Sequence, residues 1–541
     1  MPEIESVRHP ATRRPWLVLA IMCIGFFMSL LDGSIVNVAI PTLIRGMGAS
    51  YDQVLWVIDG YMLVFSVLLI STGRLGDIFG YRRLYVAGVI AFTAASALCG
   101  LADSPVGLLT ARALQGLGGA LLFPQVISSI LTVFPPRLRG RAFGLFGAIV
   151  GLAPIAGPVV GGFLLTRLSW RWIFFVNIPI GIVTAVLALA FVPPMRSGST
   201  HRLDLVGVVL ATAGLGGIVF GLIEGERYRW GGIAGPISVT SLIVSGVVLL
   251  AVFMVWQYRQ RGEPLMPPAL FRVRNFVVGN GVGFVFQLGM IGIMFVVTLY
   301  LQMARGYTAL ETGLVVLPNA VLTAVGSAYA GRLSDRFGGK YVLVAGLTLL
   351  AAGLLVLVGM ADPAGSAWNL LPGLVIIGIA GGATFAPLQQ ATMDGMDPRL
   401  AGAASGVSGT TRQIGGVLGT AVLGALLSAR LSSTLRGAAG KHAGRLPENL
   451  RARFIGDSVA SARHYGPPAP PSGLDPATAG LYERVTADTF AVGFAGAMQT
   501  VLVACALGLV AAAALCFLFS PHRKPAAERA RDKRAETTPQ D

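Results

Sequence analysis

The sequence predicts an all-α integral membrane protein with about 14 transmembrane helices, arranged as two six-helix halves plus two inserted helices. Three observations carry this prediction. The 541 residues are 54% hydrophobic and only 12% charged, with a mean hydropathy of +0.72, which is too apolar for a soluble chain of this length. Apolar stretches recur along the chain, each close to the roughly 20 residues that cross about 30 Å of hydrocarbon as a helix. An internal repeat also organises them. Gly73-Arg74-Leu75-Gly76-Asp77-Ile78-Phe79-Gly80 returns as Gly331-Arg332-Leu333-Ser334-Asp335-Arg336-Phe337-Gly338, and the same offset carries Gly157 and Gly161 onto Gly415 and Gly419.

Length and hydropathy place the spans at 16–39, 53–73, 84–102, 105–134, 142–165, 172–192, 204–224, 236–257, 276–303, 311–331, 341–360, 369–393, 402–428 and 490–519. The expected division is a tail at 1–15, a first bundle at 16–192, two inserted spans at 204–257, a second bundle at 276–519 and a basic tail at 520–541. Parallel repeats of this kind put a binding site at their junction. The 71 glycines suit helices that approach closely through small residues.

The net charge of +16 is spread over alternate short loops instead of one soluble face, which argues against a nucleic-acid binder. Arg74, Arg82, Arg83, Arg137, Arg139, Arg141, Arg332, Arg336 and Lys340 belong to those loops. The positive-inside rule then places them, and both termini, in the cytoplasm of a multi-pass cell-membrane protein. Arg13 and Arg14 precede the first apolar run as in a signal peptide, but the run is too long and lacks a small-residue cleavage site. The four cysteines lie within apolar segments at no metal-ligand spacing, and the five histidines lie outside the spans. Neither a disulfide framework, a metal site nor an enzyme is expected. The segment 429–488, with Pro467, Pro468, Pro470 and Pro471, reads as an outer loop: a solvated linker, or one holding a short amphipathic helix over 446–465.

Charges at membrane depth mark function unless they are paired. From the helical rise, Asp32, Asp59 and Arg112 lie roughly 11, 9 and 10 Å inside the outer ends of spans 1, 2 and 4. One shared cavity is the economical arrangement; a buried pair that merely locks the helices together is the alternative. Met28 lies one turn from Asp32, and Trp56 and Met62 lie one turn from Asp59. An acid beside aromatic and methionine side chains suits a lipophilic cation, although Trp56 and Tyr61 also read as interfacial anchors. An acid that binds either a proton or a cation performs antiport, and each proton entering releases about 2.3 kcal/mol per 100 mV. Arg412, near mid-depth in span 13, is a candidate for the cavity or for inter-helix pairing. Glu224 and Glu311 fall at outer helix ends, where solvation is expected.

The repeated glycine-rich loops put Asp77 and Asp335 where each can pair with arginine or cap a helix terminus, an arrangement suited to gating. No strand precedes them and no Gly-Lys-Ser/Thr follows, which excludes a P-loop. Gly147, Gly151, Pro154, Gly157, Pro158 and Gly161 predict a close-packed fifth span, bent by its prolines and serving as hinge, seal or static packing face.

Together these motifs resemble the major facilitator superfamily, specifically its fourteen-helix drug/proton antiporters of the EmrB/QacA type. Leu31-Asp32-Gly33-Ser34-Ile35-Val36-Asn37-Val38-Ala39-Ile40-Pro41 is similar to that group's helix 1 signature, and Gly73 to Arg83, with Gly80, to its motif A. Leu109 to Gly119, with Arg112, Gln115 and Gly116, is similar to motif B, and Gly147 to Gly162 to the antiporter motif C. Ser169-Trp170-Arg171-Trp172, Asn177-Ile178-Pro179 and Tyr300-Leu301-Gln302 are also typical. The resemblance covers roughly 15–430 and the last span. It implies proton coupling or cation recognition at Asp32, proton coupling at Arg112, recognition of charged drugs at Asp59, conformational control by motif A and export direction from motif C. The expectation is a monomeric exporter in the bilayer for lipophilic small molecules, driven by protons without a cofactor. The alternatives are a dedicated exporter of one endogenous lipid, siderophore, peptide or antibiotic and, remotely, a transporter-like receptor or scaffold.

Overall fold

The computed structural model describes residues 14–195 and 203–520 apart from positions 226, 229, 236, 261, 364 and 464. The predicted N-terminal tail and the basic C-terminal tail lie almost entirely outside the described residues. The first half comprises α1 (Pro15–Met47), α2 (Tyr51–Phe79), α3 (Tyr81–Leu101), α4 (Pro105–Val133), α5 (Pro136–Arg167), the short α6 (Trp172–Phe175) and α7 (Asn177–Phe191). The inserted pair α8 (Leu205–Glu224) and α9 (Val239–Arg259) follows, joined through a small antiparallel hairpin, β1 (Gly232–Ala234) and β2 (Ile237–Ser238). The second half holds α10 (Ala269–Arg272), α11 (Arg274–Leu299), α12 (Ala309–Phe337), α13 (Gly339–Met360), α14 (Leu371–Thr392), α15 (Ala401–His442), α16 (Glu448–Ala460) and α17 (Pro476–Leu515). Among the described residues, thirteen helices are long and apolar enough to cross a membrane, and fourteen if the two bent segments of α5 count as one span.

Local chemistry sets many of the ends. Ser50 with Gln53, Ser238 with Ser241, and Thr308 with Glu311 form reciprocal capping boxes that satisfy orphan N–H groups of α2, α9 and α12. The repeated loop turns identically in both halves. Gly80 has φ 93° and ψ 138°, Gly338 has φ 89° and ψ 139°, and each donates its N–H four residues back, to Gly76 and Ser334. Only glycine takes that conformation without strain, which explains its presence at both positions.

The halves also pack alike internally. Gly157 and Gly161 of α5 lie against Ser34 and Ile35 of α1, and Gly415 and Gly419 of α15 against Phe284 and Leu288 of α11. A methyl group at any of the four would stand under 3 Å from those residues. Between Ala153 and Ile155, at the predicted proline, α5 bends by 41°. Ser34 donates to the Ala153 carbonyl at that bend, 3.1 Å away.

The segment predicted as an outer loop, 429–488, departs from a plain linker. α15 continues well past the predicted limit of its span, α17 begins earlier than predicted, and α16 fills much of the interval between them. Ala439, Ala443, Leu446, Leu450, Phe454, Tyr482 and Val485 form a separate small core, with the rings of Phe454 and Tyr482 edge to face at 5.7 Å. Burial of that apolar stripe stabilises the cap where lipid cannot.

Candidate functional site

Asp32 and Arg112 meet in the first half as a buried ion pair, both 0% exposed. The Asp32 carboxylate has three donors around it. Beyond Arg112 it accepts hydrogen bonds from Gln115 Nε2 at 2.8 Å and Asn177 Nδ2 at 2.9 Å. Arg112 donates further to Gln115 Oε1 at 2.7 Å and to the Val57 carbonyl at 3.3 Å, and its guanidinium lies 4.3 Å from the centre of the Tyr61 ring. The Tyr61 hydroxyl is 2.9 Å from that of Ser29, and Asn177 Nδ2 donates to Ser96 Oγ at 3.1 Å. Helices α1, α2, α3, α4 and α7 therefore share one polar knot in an apolar bundle. Breaking such a pair by removing one partner costs about 3–5 kcal/mol, because the other charge is left buried.

Several expected site residues fall elsewhere. Met28 and Tyr61 are buried with Phe92, packing around the knot instead of walling an open cavity. Asp59 stands apart from Asp32 and Arg112. It lies on the face of α2 toward the inserted helix α8, within electrostatic range of Glu224, and Trp56 packs on Phe220 of α8 at 5.4 Å. The helical turn separates them: Tyr61 and Val57 point to Arg112, whereas Asp59 and Trp56 sit on another side of α2. Glu224, expected to be solvated, is 4% exposed and bonds to Arg227, which also reaches Asp52. Tyr300 is buried against Phe494 at the start of a π turn, with Gln302 half-buried in the same turn. Gln115 and Asn177 were not singled out as site residues; a buried amide three residues from Arg112 was the available signal for Gln115.

The repeated aspartates join the halves at the end where the basic loops gather. Asp77 accepts the backbone N–H groups of Gly402 and Ala403, at 2.9 and 3.0 Å, in the first turn of α15. It also accepts the Tyr81 hydroxyl at 2.8 Å and lies 3.8 Å from Arg74, which pairs with Glu263 at 3.5 Å. Reciprocally, Asp335 accepts the N–H groups of Gly140 and Arg141 of α5, at 2.8 and 3.0 Å. Asp77 thus caps the first turn of α15, where unpaired N–H groups and the helix dipole favour a negative charge, while Asp335 holds backbone N–H groups one turn into α5. Arg82 extends to the Leu189 carbonyl of α7, and Arg83 is exposed.

Glycines let the halves close at this end. Gly73 lies against Gly402 and Gly406, and Gly331 against Gly140 and Gly144, backbone to backbone. Gly147 meets Ser327 and Phe385, and Gly151 meets Ala324, so contact between α5 and α12 continues toward mid-depth. There Gln413 of α15 approaches Met62 of α2 at 3.9 Å, and Met62 lies beside Gly33 of α1.

Two related helical halves, latched at one end and meeting over buried charges, define a membrane carrier that works by moving one half against the other. The chain belongs to the Major Facilitator Superfamily, whose family profile it matches over residues 22–420. Members are secondary transporters, not enzymes. The chain is 36% identical over 443 residues to the probable actinorhodin transporter of Streptomyces coelicolor, covering 80% of this chain and 76% of that one. It is 34% identical to the multidrug resistance protein Stp of Mycobacterium tuberculosis, covering 78% of each. The fold matches the proton:xylose symporter XylE with a TM-score of 0.59 at 11% identity, covering 94% of this chain and 96% of that one.

Proposed function

We propose that the chain is a proton-driven drug exporter of the cell membrane, with its basic end and both termini in the cytoplasm and its outer helical cap on the opposite side. Relatives named as a multidrug resistance protein and as a probable actinorhodin transporter support the efflux reading. The observation that carries proton coupling is the Asp32 carboxylate, fully buried yet shared among Arg112, Gln115 and Asn177.

A proton and Arg112 compete for that carboxylate. When Asp32 is protonated, the guanidinium retains Gln115, the Val57 carbonyl and the Tyr61 ring but loses its counter-charge, so the arrangement of α1 against α4 changes in free energy. Because Ser34, two residues from Asp32, is bonded to the bend of α5, that change reaches the helix whose other end carries the Asp335 latch. Asp59, close enough to Glu224 for the two carboxylates to repel, supplies a second acid nearer the outer surface. The gradient supplies the energy, so no resident cofactor is called for, and one chain with its two halves forms the complete unit.

Inverted vesicles carrying a pH gradient test this. Addition of a substrate such as ethidium discharges the gradient in the wild type and not with Asp32→Asn. An unaltered discharge in the variant rejects Asp32 as the coupling acid.

A further inference from the structure

Arg412 is a buried cation with no acid opposite it among the described residues. It lies 11 residues beyond the start of α15, about 16 Å along the helix and hence near mid-depth. The side chain is 8% exposed, and its Nη1 is buried without a hydrogen-bond partner. Its neighbours are rings. The guanidinium stands 5.3 Å from the centre of Phe123 in α4 and 5.5 Å from Phe385 in α14, one from each half. Those rings belong to a larger aromatic group: Phe123 packs on Phe26, Phe65 and Phe146 at 5.3, 6.3 and 6.3 Å, and Phe146 on Phe385 at 6.0 Å.

Arg112 has Asp32, and Arg74 has Asp77 and Glu263. Arg412 has only the faces of two rings, and cation–π attraction returns just part of the hydration a guanidinium loses at this depth. A planar fork of donors with a free N–H group is matched by a carboxylate, phenolate or sulfonate, and the rings around it by a flat aromatic body. The surroundings fit such a guest. Asp32 is neutralised within its own knot, Asp59 faces α8, and Gly283 beside the Arg412 stem leaves only ordinary contacts, 3.7 and 3.8 Å from an added methyl group. The site sits just beyond the seal formed by Gly402, Gly406 and Gly409 against α2 and Phe123, where one half must part from the other for a guest to enter.

We infer that Arg412, with Phe123 and Phe385, is the subsite for the anionic group of aromatic acids, and that this chain takes such acids as substrates. This rests on the export reading above and changes the charge expected of the guest, since the acids of the first half suggested a cation.

The test uses two dyes built on one xanthene core, anionic fluorescein and cationic rhodamine 123, with the purified full chain in detergent and fluorescence polarisation as readout. The wild type binds fluorescein, and Arg412→Gln lowers the ratio of fluorescein to rhodamine 123 affinity by about tenfold or more. Arg412→Lys, which keeps the charge but not the fork, falls between and serves as the deciding variant if the glutamine protein does not fold. A wild type that fails to bind fluorescein, or a parallel change in both affinities, overturns the inference. The vesicle assay with Asp32→Asn reads proton coupling separately, so either reading can fail without the other.

Discussion

Replacing Asp77 by alanine tests how the basic end is held shut. The carboxylate takes two backbone N–H groups of α15 and the Tyr81 hydroxyl. A hydrogen bond to a charged acceptor contributes about 1.5–3 kcal/mol, so losing the two inter-half bonds weakens the closed state by roughly 3 kcal/mol or more. The tyrosine bond lies within one half and leaves that balance unchanged. At about 1.4 kcal/mol per factor of ten, the ratio of closed to open molecules falls on the order of 100-fold. Asp335 keeps its own two bonds to α5, so closure weakens without disappearing. Spin labels at Arg83→Cys and Arg399→Cys, both exposed and on opposite halves, report the separation by pulsed electron resonance. The expected result is a long-distance population that grows with Asp77→Ala and grows again when Asp335→Ala is added. Unchanged distance distributions in both variants would refute the latch.

Asp32→Ala strands Arg112 in the bundle and lowers stability by about 3–5 kcal/mol, seen as a lower melting midpoint in detergent; adding Arg112→Ala recovers part of that loss, and a double variant no better than the single one contradicts the pairing. In Gly331→Ala the new methyl would stand 2.3 Å from the Gly140 carbonyl oxygen and 2.9 Å from Gly144 Cα. Both are backbone atoms, so the halves are wedged apart at a cost of about 1–3 kcal/mol, and transport is expected to fall while thiol reagents gain access to the basic end. Phe454→Ala opens a cavity in the outer cap and weakens it by about 3–5 kcal/mol; limited proteolysis between α15 and α17 then accelerates, while the melting of the membrane region holds.

The helical spans were legible because hydropathy reports the lipid that each helix must meet. The internal repeat was legible too, since only glycine fits the turns at Gly80 and Gly338. Hydropathy failed beyond residue 428, where α15 leaves the apolar zone. Its continuation keeps Leu431, Leu435, Ala438 and Ala439 on one face, a helical stripe diluted by serine and arginine, so the segment read as a linker although its periodicity was helical. At the site, single charges could be seen but their company could not. Depth estimates put Asp32, Asp59 and Arg112 at one level, yet direction around the helix decides who meets, and it sends Asp59 toward α8. Gln115 and Asn177 were hard to single out because an uncharged amide in an apolar span gives a faint signal until its partners are known.

The crossed bonds have a consequence for symmetry. Each half supplies an acid whose partner helix belongs to the other, so a six-helix half on its own would present one carboxylate and one pair of backbone N–H groups without the partners they have here. Two identical copies facing each other about a two-fold axis would satisfy both at once, residue i meeting j and j meeting i. The present interface thus has the reciprocity of a symmetric dimer within one polypeptide, although its two sides differ, one holding Arg112 and the other Arg412.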